Sequence, residues 1–320
     1  MKHGKIKIFS GNASRILAKE ICIHLGIQLS QAEVGRFSDG EVKIKPQEEF
    51  RDCDVFIINS TQPPAENIFE LALLADAAIG SSASRVTLVI PYLGYNRQDR
   101  KDKPRVPMSA RYICQMLSLT GAQRVLLLDL HSEPTAGFFD RHIVVDHLYS
   151  SKISVDYLKS LLKNNFVVAS PDKGGTARAE AYSNRLGLSD CVVFNKRRPK
   201  ENEVDESSIK IIGDVKNKDI LFVDDIIDTA KTIIGDAKAA KKAGAKNLYV
   251  FGTHGLFSDN AIAKLDKSPI KEIVITDTIY HKPEELKTSK IKITVLSVAQ
   301  LLAQAIHRIH EGESVSSLII

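Results

Sequence analysis

The residues with the clearest chemical capacity lie at 221–233, LFVDDIIDTAKTI. An apolar run ends in Asp224-Asp225, and a short turn, Asp228-Thr229-Ala230-Lys231-Thr232, opens a helical pattern. In such a turn successive backbone N–H groups and the positive end of the helix can hold a phosphate, while threonine hydroxyls add donors. Two carboxylates just upstream can accept hydrogen bonds from sugar hydroxyls. The combination suits a sugar phosphate, although an isolated Asp-Asp pair before a helix is more often a cap.

Other clusters point to anions as well. Arg97-Gln98-Asp99-Arg100-Lys101 concentrates three cations behind the segment PYLGY, where guanidiniums can meet a polyphosphate; a solvated charge run has the same composition. Lys196-Arg197-Arg198 follow the apolar CVVFN, and in extended chain neighbours point to opposite sides, so Lys196 and Arg198 share a face and Arg197 turns away. Phe37, Asp39 and Glu41 in GRFSDGE recur with period 2, which predicts an extended segment with all three on one face. His131 closes LLLDLH at a predicted strand end, where ligand sites gather in parallel sheets, though a lone histidine there is more often structural.

The 221–233 string resembles the phosphoribosyl-diphosphate loop of type I phosphoribosyltransferases. Further strings narrow the likeness to the ribose-phosphate diphosphokinases, also called phosphoribosyl pyrophosphate synthetases. They are GRFSDGE (35–41), CDVFIINST (53–61), NRQDRKD (96–102), DLH (129–131), GFFD (137–140), SPDKGG (170–175), KRRP (196–199), THG (253–255) and SVAQLLAQAIHRIHEGESVS (297–316). The resemblance implies transfer of the β,γ-diphosphoryl group of MgATP to the 1-hydroxyl of ribose 5-phosphate, with release of AMP. It implies that Phe37 stacks on adenine, that Asp39, Glu41, Arg97, Gln98 and Asp99 serve the nucleotide, and that His131 with Asp172 attends Mg²⁺. Magnesium prefers oxygen ligands, so contact of His131 to phosphate or water stays open. Lys196 and Arg198 would hold charge building on the diphosphoryl oxygens, within a loop of about 195–208 that closes over ATP. A regulatory paralogue without turnover and a phosphoribosyltransferase are the competing readings.

Departures from the family pattern also carry expectations. Lys231 stands where the family usually has Gly, which requires a negative φ and an outward side chain. Asn195 replaces a common Asp, SEPTA (132–136) replaces another polar string, and HIV (142–144) lengthens the chain before Asp146. Relatives of the phosphate-regulated class bind phosphate or ADP between subunits, at a site to which this chain would bring Arg51, Ser314 and Ser316. Glu49 stands where that class usually has Ser.

These residues need a frame that brings strand ends together. Apolar, β-branched runs predict strands at 5–9, 54–60, 85–90, 124–130, 166–169, 191–194, 219–224, 247–252, 271–276 and 291–296. Helical patterns lie near 12–25, 67–79, 107–119, 149–163, 176–187, 229–243 and 297–310, with Ser10 and Asn12 as candidate caps of the first and Gly121 and Gly244 as candidate ends of two others. This alternation is an α/β fold of mostly parallel sheets flanked by helices. Two internal likenesses, 6–27 with 167–188 and Gly121–His131 with Gly244–His254, suggest tandem copies of one domain; by resemblance these are phosphoribosyltransferase-like. The expected division is 1–148, binding ATP, and 149–304, binding ribose 5-phosphate, with a helix near 305–320 returning to the first domain.

Composition sets outer bounds. The 320 residues are 43% hydrophobic and 26% charged, which excludes a disordered or collagen-like chain. A formal charge of +5 suits anionic small molecules as well as nucleic acid, and alone chooses neither. Cys22, Cys53, Cys114 and Cys191 are widely spaced and read as buried thiols in a reducing cytosol. With no leader-like or membrane-length apolar run, the expectation is a cytoplasmic protein that binds neither membrane nor nucleic acid. By resemblance it is a homo-oligomer, a hexamer built from dimers.

Overall fold

The computed structural model describes residues 4–162, 165–196 and 209–319. They form two compact units: Met1–Lys152 with Thr278–Tyr280 and Ser297–Ile320, and Ile153–Asp277 with His281–Leu296.

In the first unit β1 (Ile6–Ser10) leads to α1 (Arg15–Leu25) and a hairpin of β2 (Ala32–Arg36) and β3 (Val42–Pro46). There follow β4 (Asp54–Ile58), α2 (Glu66–Gly80), β5 (Arg85–Ile90), α3 (Ser109–Ser118), β6 (Arg124–Leu128) and β7 (Val144–Leu148). The sheet runs β1-β4-β5-β6-β7 with all neighbours parallel, while the hairpin is antiparallel and pairs with itself. Helices cover both faces, so the central strands are apolar without alternation: DVFII in β4 is buried throughout.

The second unit takes α4 (Ser151–Leu161), whose first two residues belong to the first unit, then β8 (Phe166–Ser170), α5 (Thr176–Arg185), β9 (Cys191–Lys196) and β10 (Ile209–Ile212). It continues with β11 (Asp219–Ile227), α6 (Lys231–Lys242), β12 (Leu248–Gly255), α7 (Ala261–Leu265), β13 (Glu272–Thr276), α8 (Pro283–Lys287) and β14 (Lys292–Leu296). Its sheet runs β10-β9-β8-β11-β12-β13-β14, with only β10 antiparallel to its neighbour. The chain leaves β8 in one direction and returns on its other side as β11, so the carboxyl ends of these two strands flank a topological switch point, where α/β sheets place ligands.

The five parallel strands β8-β11-β12-β13-β14 repeat β1-β4-β5-β6-β7 in order, and the matched segments 6–27 and 167–188 are the equivalent first strand and helix. The Gly-Ala to His likeness is a different matter. It pairs β6, fourth in its row, with β12, third in its row, so it reflects a common βα junction and no domain register.

The final segment differs from the expected division at 304. Residues from Ser297 onward belong to the first unit, because the apolar face of α9 (Ala299–Glu311), with Leu302, Ala305, Ile306 and Ile309 buried, packs against α1. Buried Asp54 fastens this end: Arg85 binds both its oxygens at 2.8 and 2.5 Å and also donates to the Ile309 carbonyl, and His310 Nδ1 lies 2.8 Å from Asp54 Oδ2. A last turn, α10 (Ser316–Ile319), follows.

Ser10 and Asn12 do not cap α1. Ser10 Oγ donates to the Gly11 and Ile58 carbonyls, and Asn12 donates to Glu70 and the Val34 carbonyl. Gly121 and Gly244 do follow helix ends with φ of 80° and 91°, a left-handed backbone that glycine adopts without a Cβ penalty. Cys22, Cys53 and Cys114 are buried and Cys191 only partly so. Burial pushes the Cys22 thiol up to about 11 and the Cys114 thiol to about 12, so both stay protonated and inert. None of the described helices is long and apolar enough to cross a membrane.

Candidate active site

At the switch point of the second unit, β8 ends in Ser170-Pro171-Asp172 and β11 carries Asp224 and Asp225. Ser170 Oγ donates to the Asp172 carbonyl at 2.6 Å, and Asp172 Oδ1 accepts the Gly175 N–H at 2.9 Å, which folds the SPDKGG turn tightly enough to start α5. A Cβ on Gly175 would come within 2.9 Å of Ser170 Oγ, so a larger residue here would have to displace the serine hydroxyl from the Asp172 carbonyl. From the first turns of α5, Arg178 reaches Asp225 Oδ1 at 2.9 Å and Asp224 Oδ1 at 3.7 Å.

The two aspartates differ in environment. Asp225 is buried at 4% side-chain exposure, whereas Asp224 keeps 32% and can meet a ligand. Although one edge of it stays open, the protein packed around Asp224 strips away most of its hydration, and this, followed by the charges of Asp225 and Asp172, holds its carboxyl well above the ordinary value, with Arg178 offsetting only part. Two carboxylates thus share the guanidinium of Arg178, with the charge of Asp172 nearby, an arrangement eased by sugar hydroxyls that donate, or by a cation.

Beyond β11, Asp228 and Thr229 form a bend, and Ala230 stands at the start of α6 with φ of 59°. Ala230 has no side chain with which to cap, and the first turn of α6 contains no acidic residue, so the helix terminus keeps its positive character toward an anion. Lys231 is the first helical residue; the left-handed backbone falls on Ala230, and the lysine side chain, 54% exposed, lies 3.8 Å from Asp259. A side chain in place of glycine is therefore accommodated without backbone strain.

In the first unit the segment 94–100 and the turn after β6 come together. Gly94 rests against Thr61, where a Cβ would stand 2.2 Å from the Thr61 carbonyl oxygen. Gln98 accepts from Ser109 Oγ at 2.6 Å and, through its carbonyl, from Ala110 N at 3.2 Å, so it also anchors the start of α3. Asp99 Oδ2 accepts from Ser132 Oγ at 2.6 Å, which ties the 97–101 run to the His131 turn. Arg97 and His131 are both exposed.

Phe37, Asp39 and Glu41 occupy a hairpin turn and not an extended segment, because β2 and β3 pair antiparallel up to Arg36 and Val42. Phe37 N–H donates to the Glu41 carbonyl, Gly40 N–H to the Phe37 carbonyl, and Glu41 N–H to Asp39 Oδ1. The three side chains therefore cluster at an exposed tip, with Phe37 52% accessible, and their proximity comes from the turn and not from period 2.

Arg197 and Arg198 lie outside the described residues, as do all of 197–208; of the loop expected at about 195–208, Asn195 and Lys196 instead end β9, where the Lys196 backbone pairs with Ile209. Glu49 and Arg51 line a surface groove of about 600 Å³ with Glu48, Phe50, Ser81 and Ser82. Ser314 and Ser316 are not among its lining residues; they bond to each other, and Arg308 holds the Ser314 carbonyl.

Residues 6–121 match the family model described as the N-terminal domain of ribose phosphate pyrophosphokinase, and residues 199–320 match the phosphoribosyl synthetase-associated domain. A ribose-phosphate pyrophosphokinase from Chlorobaculum tepidum is 45% identical over 314 residues, 98% of this chain and 94% of that protein. The chain belongs to the ribose-phosphate pyrophosphokinase family. A second member, from Thermotoga maritima, is 44% identical over 98% of both chains. The crystal structure of phosphoribosylpyrophosphate synthetase from Mycobacterium smegmatis superimposes with a TM-score of 0.89 at 32% identity, covering 96% of this chain and 99% of that one.

Within this pyrophosphokinase frame, two contributors escaped the sequence reading. Arg178 is 47 residues from the Asp225 it binds; the available signal was a need for a cation beside three aspartates. Ser132, inside the divergent SEPTA string, keeps its hydroxyl on Asp99. Among the described residues, no three His, Cys, Asp or Glu side chains converge as a closed metal cage.

Proposed function

We infer that this chain transfers the diphosphoryl group of MgATP to ribose 5-phosphate. The 1-hydroxyl oxygen bonds to the β-phosphorus, the bond from that phosphorus to the AMP oxygen breaks, and the hydroxyl proton is lost, giving phosphoribosyl diphosphate and AMP. What supports this reading is one chain that has Asp224, Asp225 and the start of α6 at a switch point in one unit and the 97–101 run tied to the His131 turn in the other, both within a match over 98% of the chain to a ribose-phosphate pyrophosphokinase.

In the second unit Asp224 and Asp225 accept from ribose hydroxyls, and Asp228 to Thr232 receive the 5-phosphate at the start of α6. In the first unit Arg97 faces the polyphosphate, the Gln98 amide N–H group donates beside it, and Phe37 stacks on adenine with Asp39 and Glu41 at the same tip. Lys196 and Arg198 hold charge that builds as AMP departs. Mg²⁺, when bound, would supply positive charge to the triphosphate, and such an ion is commonly held by one or two protein groups together with water and phosphate. His131 and Asp172 are the side chains offered to it or to its phosphate ligands. The hairpin tip, half-exposed at Phe37, supports assembly in which a neighbour completes the nucleotide site, as in a hexamer of dimers. Free thiols throughout suit a cytoplasmic setting.

Incubation with MgATP and ribose 5-phosphate, following AMP and phosphoribosyl diphosphate together, tests the assignment. A regulatory paralogue forms neither product, and a phosphoribosyltransferase consumes phosphoribosyl diphosphate only when given a base.

A further inference from the structure

The turn after β6 presents one side chain to solvent. Asp129 and Leu130 are buried at 7% and 3%, whereas His131 is exposed. Asp129 adopts a φ of 40°, a left-handed conformation that is uncommon for a residue with a Cβ and that hydrogen bonds to its neighbours hold in place here. The groups that hold it come from β7 and the two residues after it.

Successive residues along this segment grip the turn from both sides, as the alternation of an extended chain allows. On one side the Leu130 N–H donates to His147 Nε2 at 2.9 Å, and Tyr149, its ring 4.6 Å from that of His147, donates its hydroxyl to Glu133 at 2.8 Å. On the other, the Leu148 carbonyl accepts the Asp129 N–H at 3.0 Å, the Ser150 N–H donates to Asp129 Oδ2 at 3.0 Å, and Ser150 Oγ donates to the same oxygen. A backbone N–H can only donate, so the lone pair of His147 Nε2 must face Leu130 and the ring proton sits on Nδ1.

We propose that His147 and Ser150 are positioning residues for nucleotide binding: their bonds to Leu130 and Asp129 fix the turn that holds His131 toward the nucleotide. The proposal rests on the reading of His131 as a nucleotide-side residue. Neither side chain needs to touch substrate. A ring nitrogen aimed at a backbone N–H one residue from His131 constrains that residue's direction as packing alone would not. The replacement that preserves the bond is glutamine, whose Oε1 can take the place of Nε2, while leucine keeps bulk and offers no acceptor.

The experiment is calorimetric titration of the assembled enzyme with a non-transferable ATP analogue and Mg²⁺, without ribose 5-phosphate, alongside steady-state kinetics. His147→Leu is expected to weaken the analogue about tenfold and raise KM for ATP, with KM for ribose 5-phosphate within about twofold of the parent. His147→Gln should recover most of the loss. Ser150→Ala, a small change that keeps the fold if His147→Leu does not, should weaken the analogue about threefold. Analogue binding unchanged in both His147→Leu and Ser150→Ala, with His131→Ala impaired, overturns the positioning role and leaves the His131 reading in place. Equal losses in the leucine and glutamine variants overturn it too, since shape and not the acceptor would then matter. Unchanged binding in His131→Ala overturns the underlying reading and the proposal together.

Discussion

Arg36, the last residue of β2, places Nη1 3.0 Å from Oε1 of Glu70, a carboxylate on α2 with 1% side-chain exposure. Asn12 donates to the same carboxylate through its backbone N–H at 2.8 Å and its side chain at 2.9 Å. One buried anion therefore fastens the β2–β3 hairpin, the turn after β1 and helix α2 to each other.

Glu70→Ala removes the acceptor shared by Arg36 and the Asn12 N–H, while Asn12 Nδ2 keeps the Val34 carbonyl and Arg36 the Gly35 carbonyl, so the link between hairpin and helix is lost at modest cost to the fold. The hairpin tip should loosen before the sheet does. Because the chain has no tryptophan, Phe37→Trp is a single reporter, and its fluorescence anisotropy should fall on adding Glu70→Ala while KM for ATP rises. Unchanged anisotropy would show that the hairpin is held elsewhere.

Asp224 is expected to exchange stability for binding. Its carboxyl is raised, chiefly by burial and then by Asp225, so the native state holds the proton more tightly than the unfolded chain does. Stability from this group is therefore greatest at low pH, and is lost as pH rises from the ordinary value of 3.8 through the higher native one. Asp224→Asn should raise Tm at neutral pH, by a margin that grows from acid upward, and should weaken ribose 5-phosphate far more than ATP. A lowered Tm at pH 7, or equal losses for both substrates, would contradict this account.

Lys196 is expected to act on the departing charge. Removing a preorganised donor costs about 10²-fold or more in kcat, so Lys196→Ala should cripple turnover with ATP binding nearly intact. Arg197→Ala should be mild if alternation past β9 holds, and a loss as large as that of Lys196 would refute it.

How much was legible in advance depends on where each residue's partners lie. Runs such as VFII in β4 and RVTLVI in β5 declare themselves because burial on both faces leaves no room for polar residues. β7 was missed because VVDHL places Asp146 and His147 in an edge strand, where Arg124 on β6 and the Leu130 N–H answer them. The period-2 reading of Phe37, Asp39 and Glu41 failed on local chemistry that was present: Ser38-Asp39-Gly40 is a turn sequence, and Gly40 takes a φ of 95°. The strand end at Asp224-Asp225, the turn after it and the start of α6 were readable because they are contiguous in sequence, whereas the contact of Arg178 with Asp225 depends on the pairing of β8 with β11.

Lys231 adds a cation at the helix terminus assigned to the 5-phosphate. Asp259 is committed to Lys264 at 2.6 Å, which is the main reason its carboxyl is lowered, and Lys231 is the more distant partner at 3.8 Å. The looser contact leaves the lysine able to turn to an arriving phosphate. Lys231→Gly should raise KM for ribose 5-phosphate about threefold to tenfold without changing KM for ATP, and the difference should shrink as salt rises. Identical constants in parent and variant would leave Lys231 with no part in substrate binding.

Glu49 brings a carboxylate into the groove that holds Arg51, Ser81 and Ser82. The neighbouring Glu48 is engaged by Lys7 and by the Gln31 N–H, which lower its carboxyl against the cost of burial, so it is an anion already matched. At ~4 Å from a phosphate oxygen an unscreened like charge costs roughly 1 to 4 kcal/mol depending on local dielectric, comparable to a typical allosteric coupling energy. By the family resemblance Glu49 stands where the phosphate-regulated class usually has Ser, so activation by inorganic phosphate and allosteric inhibition by ADP should both be weak here, with competition by ADP at the ATP site retained. Glu49→Ser should strengthen phosphate dependence, and Glu49→Gln, which keeps the size and removes the charge, should do so in part. Activity measured against phosphate concentration decides the matter: strict phosphate dependence in the parent, or substitutions that change nothing, would mean that this carboxylate turns away from the groove and does not govern it.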